Sequence, residues 1–297
     1  MKGTSEKNLN IMSWIAIGVG LLMFMAIPFM VQTSLERVLV GLIAHIDAGN
    51  PTFTSGIGLF GLFYPVWRAI IFVAGVTLIV ISQEIKKGEE WTYPLAMTLF
   101  AMPAIGGMFM FLPYVSWVPG FPLPLIIAAI GLTGFWAFIF LRKAPMIEKW
   151  ARFGVLTFLG MLITHAFTIG IGAQRTMATR PGFPYYKDFT WWLFGWAGQV
   201  NWVVAALLLI SIPFLAAGKR RGWWMAVIGG ITILVMDAPT QFFRTKTLDY
   251  LYGSLLAIGL LIFLMVPYFK VHLFNDDDAD EVAGANDATD AIEAEPA

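Results

Sequence analysis

Eight stretches of this chain, each about 20 residues long and nearly free of charge, constrain its fold more than any other feature. They run over 12–32, 63–82, 92–113, 121–141, 153–174, 191–214, 223–243 and 250–270. A hydrocarbon core of about 30 Å is crossed by roughly 20 apolar residues in α-helix. With 58% apolar and 13% charged residues in 297 positions, one water-soluble core could not hide so many such runs. The expected fold is an all-α integral membrane protein of about eight transmembrane helices, with the lipid bilayer as its first partner. The run over 12–32 is longer than a signal-peptide core and is followed by no small-x-small cleavage site, so it reads as a retained first helix. The segment over 34–46, SLERVLVGLIAHI, has apolar residues at helical spacing interrupted by Glu36, Arg37 and His45, which suits a helix lying along the outer membrane surface.

Basic residues orient the chain, because Lys and Arg near helix ends are retained on the cytoplasmic side. Lys2, Lys7, Lys86, Lys87, Arg142, Lys143, Lys149, Arg152, Lys219, Arg220, Arg221 and Lys270 share one face. The opposite loops hold Arg37, Arg175, Arg180, Lys187, Arg244 and Lys246 over longer connections. A cell-membrane protein with both termini cytoplasmic is expected. The organisation is a cytoplasmic N-terminus (1–11), two four-helix units (12–143 and 144–274) and an acidic tail (275–297) poor in anything that packs, which reads as disordered.

A shift of 134 residues, without gaps, aligns Leu59-Phe60-Gly61 with Leu193-Phe194-Gly195 and Lys86-Lys87-Gly88 with Arg220-Arg221-Gly222. It also aligns Met102-Pro103-Ala104 with Met236-Asp237-Ala238. These matches agree on topology as well as letters, and an even helix count per unit makes the repeat parallel rather than inverted. The plain alternative is chance similarity among apolar segments.

Composition also excludes. The 19 basic residues equal the 19 acidic ones, so no global field favours nucleic acid. There is no cysteine, which removes disulfides, thiolate metal sites and cysteine nucleophiles. Walker A, G-x-S-x-G and H-E-x-x-H patterns are missing, so hydrolase and nucleotide-driven chemistry lose weight and the balance leans away from an enzyme.

Ionisable residues inside a membrane are costly and each needs a partner or a purpose. Counting about 1.5 Å per residue puts Arg68 and Asp237 at matching depth below the outer boundary, so an ion pair between the second and seventh spans is expected. The plain reading is mutual neutralisation, or separate snorkelling to the headgroups. Pro239 follows Asp237, with Thr240 and Gln241 next; a proline frees a carbonyl one turn back, and such groups coordinate ions or ligands where a helix lines a cavity. His165 lies just beyond the midplane, suited to relaying protons or bonding a quinone carbonyl, or else to a plain interhelical hydrogen bond. A bis-histidine haem is disfavoured, since His45 and His272 lie outside the spans. On the outer face Arg175, Arg180, Tyr185, Tyr186, Lys187 and Arg244 read as an aromatic and cationic belt, or as a pocket for an anionic or lipid ligand.

The first functional expectation is a transporter or permease with Arg68, His165, Asp237, Thr240 and Gln241 between the halves, requiring no cofactor. The second is a quinone-binding anchor of an electron-transfer complex, with protein subunits as partners. The third is a lipid-binding or lipid-modifying protein using the outer loop.

Overall fold

The computed structural model describes residues 1, 3–179, 188–244 and 247–274, and the described residues are helical almost throughout. The order is α1 (Glu6–Met25), α2 (Ile27–Asp47), a single 3-10 turn (Pro51–Phe53), α3 (Thr54–Lys87), α4 (Thr92–Trp117), α5 (Leu123–Leu141), α6 (Met146–Ala178), α7 (Phe189–Ala216), α8 (Arg220–Phe243), α9 (Asp249–Met265) and α10 (Pro267–Lys270). Eight of these, α1 to α8, are long and apolar enough to cross a membrane, and α9 is a shorter apolar helix of 17 residues. The chain is a multi-pass helical membrane protein. A helix is the form such a run must take, because hydrocarbon offers no partner for an unpaired backbone group.

The N-terminal region departs from the sequence expectation. The break falls at Ala26, ahead of Pro28, rather than after Gln32. Beyond it the chain does not turn aside to lie flat. Ser13 meets Ser82, Gly20 meets Gly75, Gln32 meets Arg68 and Leu42 meets Gly56, so α1 and α2 run in succession antiparallel to α3. The two helices thus follow one path across the layer. The physical reason is close packing: a Cβ on Gly75 would lie 2.6 Å from the Met23 Cβ and 2.8 Å from the Gly20 carbonyl. Helices in lipid associate where small residues allow backbones to touch.

The helices associate in two groups. In the first, α1 and α2 pack on α3, α3 on α4, α4 on α5, and α5 returns to α1 and α2. In the second, α6, α7, α8 and α9 each pack on the next, and α9 returns to α6. The groups meet mainly through α4 against α6 and α7. At the join Phe167 of α6 is set edge-on among Phe63, Trp67 and Phe109, at centroid distances of 5.2, 5.7 and 5.0 Å. Such edge-to-face contacts fix ring orientation as well as burying area.

One end of the molecule carries a dense set of inter-helix polar ties. The N-terminal ammonium donates to Gly88 O, Asn8 Nδ2 to Leu141 O at 2.8 Å, and Lys149 Nζ to Phe140 O at 2.7 Å. Arg152, only 3% exposed, donates to Glu148 and to the Leu215 and Ala216 carbonyls that end α7. Trp223 Nε1 donates to Leu264 O, and Lys270 lies over the Trp223 ring. Two helices overrun the layer: the 34 residues of α3 and the 33 of α6 each reach about 50 Å. The anchored end therefore collects the start of α1, the end of α3 and the end of α9, which generates a test. With no native cysteine to interfere, Ser5→Cys and His272→Cys should react with an impermeant maleimide from the same side of sealed vesicles, and Ser116→Cys from the other.

Candidate functional site

The site is assembled on α8. Asp237 lies 16 residues beyond Arg221, about 24 Å along the helix, and is fully buried. Its Oδ1 accepts a hydrogen bond from Asn201 Nδ2 of α7 at 2.8 Å. That amide also donates to Ala197 O at 2.9 Å. The other oxygen, Oδ2, faces the bare Cα of Gly253 on α9. A Cβ there would lie 2.1 Å from Asp237 Oδ2 and 3.0 Å from His165 Nε2. Glycine is thus the condition for bringing the carboxyl and the imidazole to the same point. Tyr250, 2% exposed and one turn earlier on α9, packs with Leu193, Ala197 and Met236, its ring edge-on to Phe194. Four buried polar atoms here have no hydrogen-bond partner: His165 Nε2, Asn201 Oδ1, Asp237 Oδ2 and Tyr250 OH. Buried polar groups are nearly always satisfied, so four together set this cluster apart from the rest of the described helices.

On its other side His165 reaches a cleft of about 470 Å³ between the two groups of helices. Its walls include Ala104, Met108 and Leu112 of α4 and Phe135 and Trp136 of α5, facing Leu156, Gly160 and Met161 of α6. The polar side chains on the wall are Thr157, Thr164 and His165. Thr157 accepts from Trp136 Nε1 at 3.3 Å and keeps its hydroxyl proton to donate, Thr164 donates to Gly160 O of its own helix, and the His165 imidazole completes the polar patch. Leu112 and Met161 on the rim are 41% and 49% exposed, on surface that faces lipid in a membrane. The volume falls within the usual range for small-molecule sites, and the walls are greasier than most.

The structure brings His165 and Asp237 together but not Arg68. Arg68 Nη1 donates to Gln32 Oε1 at 2.6 Å, and Gln32 Nε2 donates to Glu36 at 2.8 Å. Arg68 and Asp237 therefore take different partners and form no ion pair. Arg68 lies 18 residues from Lys86, about 27 Å along α3, so it stands near the far boundary of the hydrocarbon. Thr240 donates back to Met236 O at 2.7 Å. Gln241 donates to Thr247 O and accepts from Leu251 N, which fastens the turn from α8 into α9. Arg175 lies over Phe53 and Trp117, whereas Arg244 lies over Trp191 and Phe194. Each arginine stacks on rings of a different helix group, which is belt-like behaviour. Arg180, Tyr185, Tyr186 and Lys187 lie outside the described residues, as does the acidic tail.

Sequence reasoning missed Asn201, Tyr250 and Gly253. Asn201 had a signal, an amide inside an otherwise apolar run, and such amides bond across helices. Among the described residues no group of three His, Asp or Glu side chains is placed to hold a metal ion.

The buried bond and the boundary bond differ in weight. Asn201→Leu should cost about 1–3 kcal/mol by leaving the Asp237 carboxyl without its donor, seen as a lower melting temperature in detergent. Arg68→Gln, which loses a part-exposed contact, should cost about 1 kcal/mol or less. No protein-family model matches the chain, and neither a curated protein nor a solved structure is similar to it at a significant level.

Proposed function

We propose that the protein binds a lipophilic ligand of the quinone class, taken laterally from the bilayer into the cleft between the two helix groups. The observation that carries this reading is the pairing of an apolar cleft with a small polar patch of Thr157, Thr164 and His165. A ligand with a long hydrocarbon tail and a carbonyl head matches that division: Met108, Leu132, Leu156 and Met161 receive the tail, and the imidazole bonds the head. The exposed Leu112 and Met161 supply the entrance. In this reading the protein is the membrane subunit of an electron-transfer assembly, its electrons coming from a partner subunit.

Orientation and duplication belong to the same proposal. Eleven of the twelve basic residues assigned to the inner face, all but Lys2, are described residues. The polar ties among the helix ends they flank support a cytoplasmic assignment for that end. Return of the last helix to the first in both groups supports an ancestral four-helix unit. Only one unit carries the polar cluster, since the positions 134 residues before His165, Asn201 and Asp237 are Val31, Trp67 and Pro103.

A proton- or cation-coupled transporter is the second reading, favoured by the unpartnered Asp237 Oδ2 at depth. It ranks below because Asp237 stands behind His165 and does not line the cleft. A lipid-modifying protein ranks third, as Arg175 and Arg244 serve separate aromatic clusters.

Titration of decylubiquinone into the purified chain should quench tryptophan fluorescence saturably, through Trp136 on the cleft wall. His165→Ala should weaken binding by about tenfold, the loss of one hydrogen bond of about 1.4 kcal/mol. Quenching that does not saturate, or that is indifferent to His165→Ala, overturns the reading. Uptake that fails in Asp237→Asn while quinone leaves the chain unaffected would instead select the transporter.

A further inference from the structure

The polar cluster that begins at His165 extends away from the cleft, and of its members only His165 lines the cleft itself. It is drawn from all four helices of the second group: His165 from α6, Asn201 from α7, Asp237 from α8, and Tyr250 with Gly253 from α9. Asn201, Asp237 and Tyr250 are all at least nine-tenths buried, and each has a polar atom without a partner. Building so many polar side chains into apolar surroundings without pairing them is expensive, and a purely structural network would have closed on itself.

We propose that His165, Asn201, Asp237 and Tyr250 form a proton-relay chamber linking the cleft to the turn between α8 and α9. Three features give it direction. Asp237 Oδ2 and His165 Nε2 converge on the bare Cα of Gly253 without bonding each other, and one bridging water is proposed between them. The titratable and charged groups facing the cluster are few: His165 from α6 and Tyr250 from α9 stand by Asp237, Asp249 and Arg244 act on Tyr250, Asp249 also acts on His165, and α7 contributes only the neutral Asn201. Tyr250 stands in the first turn of α9, nearer the helix start than Gly253, and its buried hydroxyl has no partner, which makes it the proposed entry point for protons.

The step is a simple exchange. The O–H bond of the Asp237 carboxyl breaks as an N–H bond forms on His165 Nε2, giving a carboxylate and an imidazolium. His165 then releases a proton to an acceptor in the cleft, and water at Tyr250 returns one to Asp237. Asn201 holds Oδ1 still throughout, so that Oδ2 is the oxygen that exchanges. The inference rests on the quinone reading only for the identity of the acceptor in the cleft.

Its test needs no ligand. The full chain in lipid nanodiscs is switched from H2O to D2O while infrared spectra are recorded. A carboxylic-acid C=O band should shift on deuteration, disappear in Asp237→Asn and return at a changed frequency in Asp237→Glu. Tyr250→Phe, checked for an unchanged circular dichroism spectrum, should keep the band and slow its deuteration by about 100-fold, the usual worth of a positioned proton-transfer group. Absence of any band sensitive to Asp237, or deuteration in Tyr250→Phe at the wild-type rate, overturns the chamber. Decylubiquinone binding is measured separately, so failure of the quinone reading leaves this result standing.

Discussion

The structure depends on one constraint: inside hydrocarbon no polar group finds water, so each must be satisfied by the protein or by a ligand. Backbone groups meet it by forming helices. Most side chains meet it locally, as where Ser34, Thr98, Thr164, Thr168 and Thr240 each donate to the carbonyl four residues back on their own helix. Ser13 and Trp202 meet it across helices, donating to Ser82 O and Phe167 O. Against that background the unpartnered atoms of His165, Asn201, Asp237 and Tyr250 are a concentrated exception. Proteins break local rules at functional positions and compensate elsewhere.

Compensation comes from the rest of the second group. Arg152 closes the carbonyl ends of α7, Gln241 fastens α8 to α9, and Trp223 ties α8 to the end of α9. Phe167, two residues from His165, is clasped by rings from the first group. The imidazole is therefore held on a rigid helix, with the carboxyl on one side and the greasy cleft on the other.

Much of this was legible in the sequence, and what was not has a common cause. Apolar runs disclosed the fold class and the positions of six spans, α3 to α8, because length and purity are read directly from the residues. Helical rise also placed Arg68, His165 and Asp237 in depth. Depth is one coordinate of three. Which way a helix is turned is set by its neighbours, and Arg68 at its level is turned toward Gln32, whereas Asp237 is turned toward Asn201 and Gly253. Segment 34–46 was misplaced for a related reason: its charges Glu36 and Arg37 suggested a surface helix, but they serve contacts to Gln32 and Tyr114 while the opposite side packs along α3. Gly253 carries no chemistry of its own, so only the approach of two other side chains reveals its role.

The surplus length of α3 and α6 bears on the outline of the molecule. Lys86 and Lys87 end α3 at the anchored face, so the extra turns emerge at the opposite face, together with the second half of α2. A slab of about 30 Å leaves roughly 20 Å of each long helix standing clear of it. Among the described residues the profile is lopsided, with α3 and α6 raised into a short helical tower on the side away from the anchored face. Any large soluble body approaching from the tower side meets that crown, where Arg175 rests on Phe53 and Trp117, before it meets headgroups.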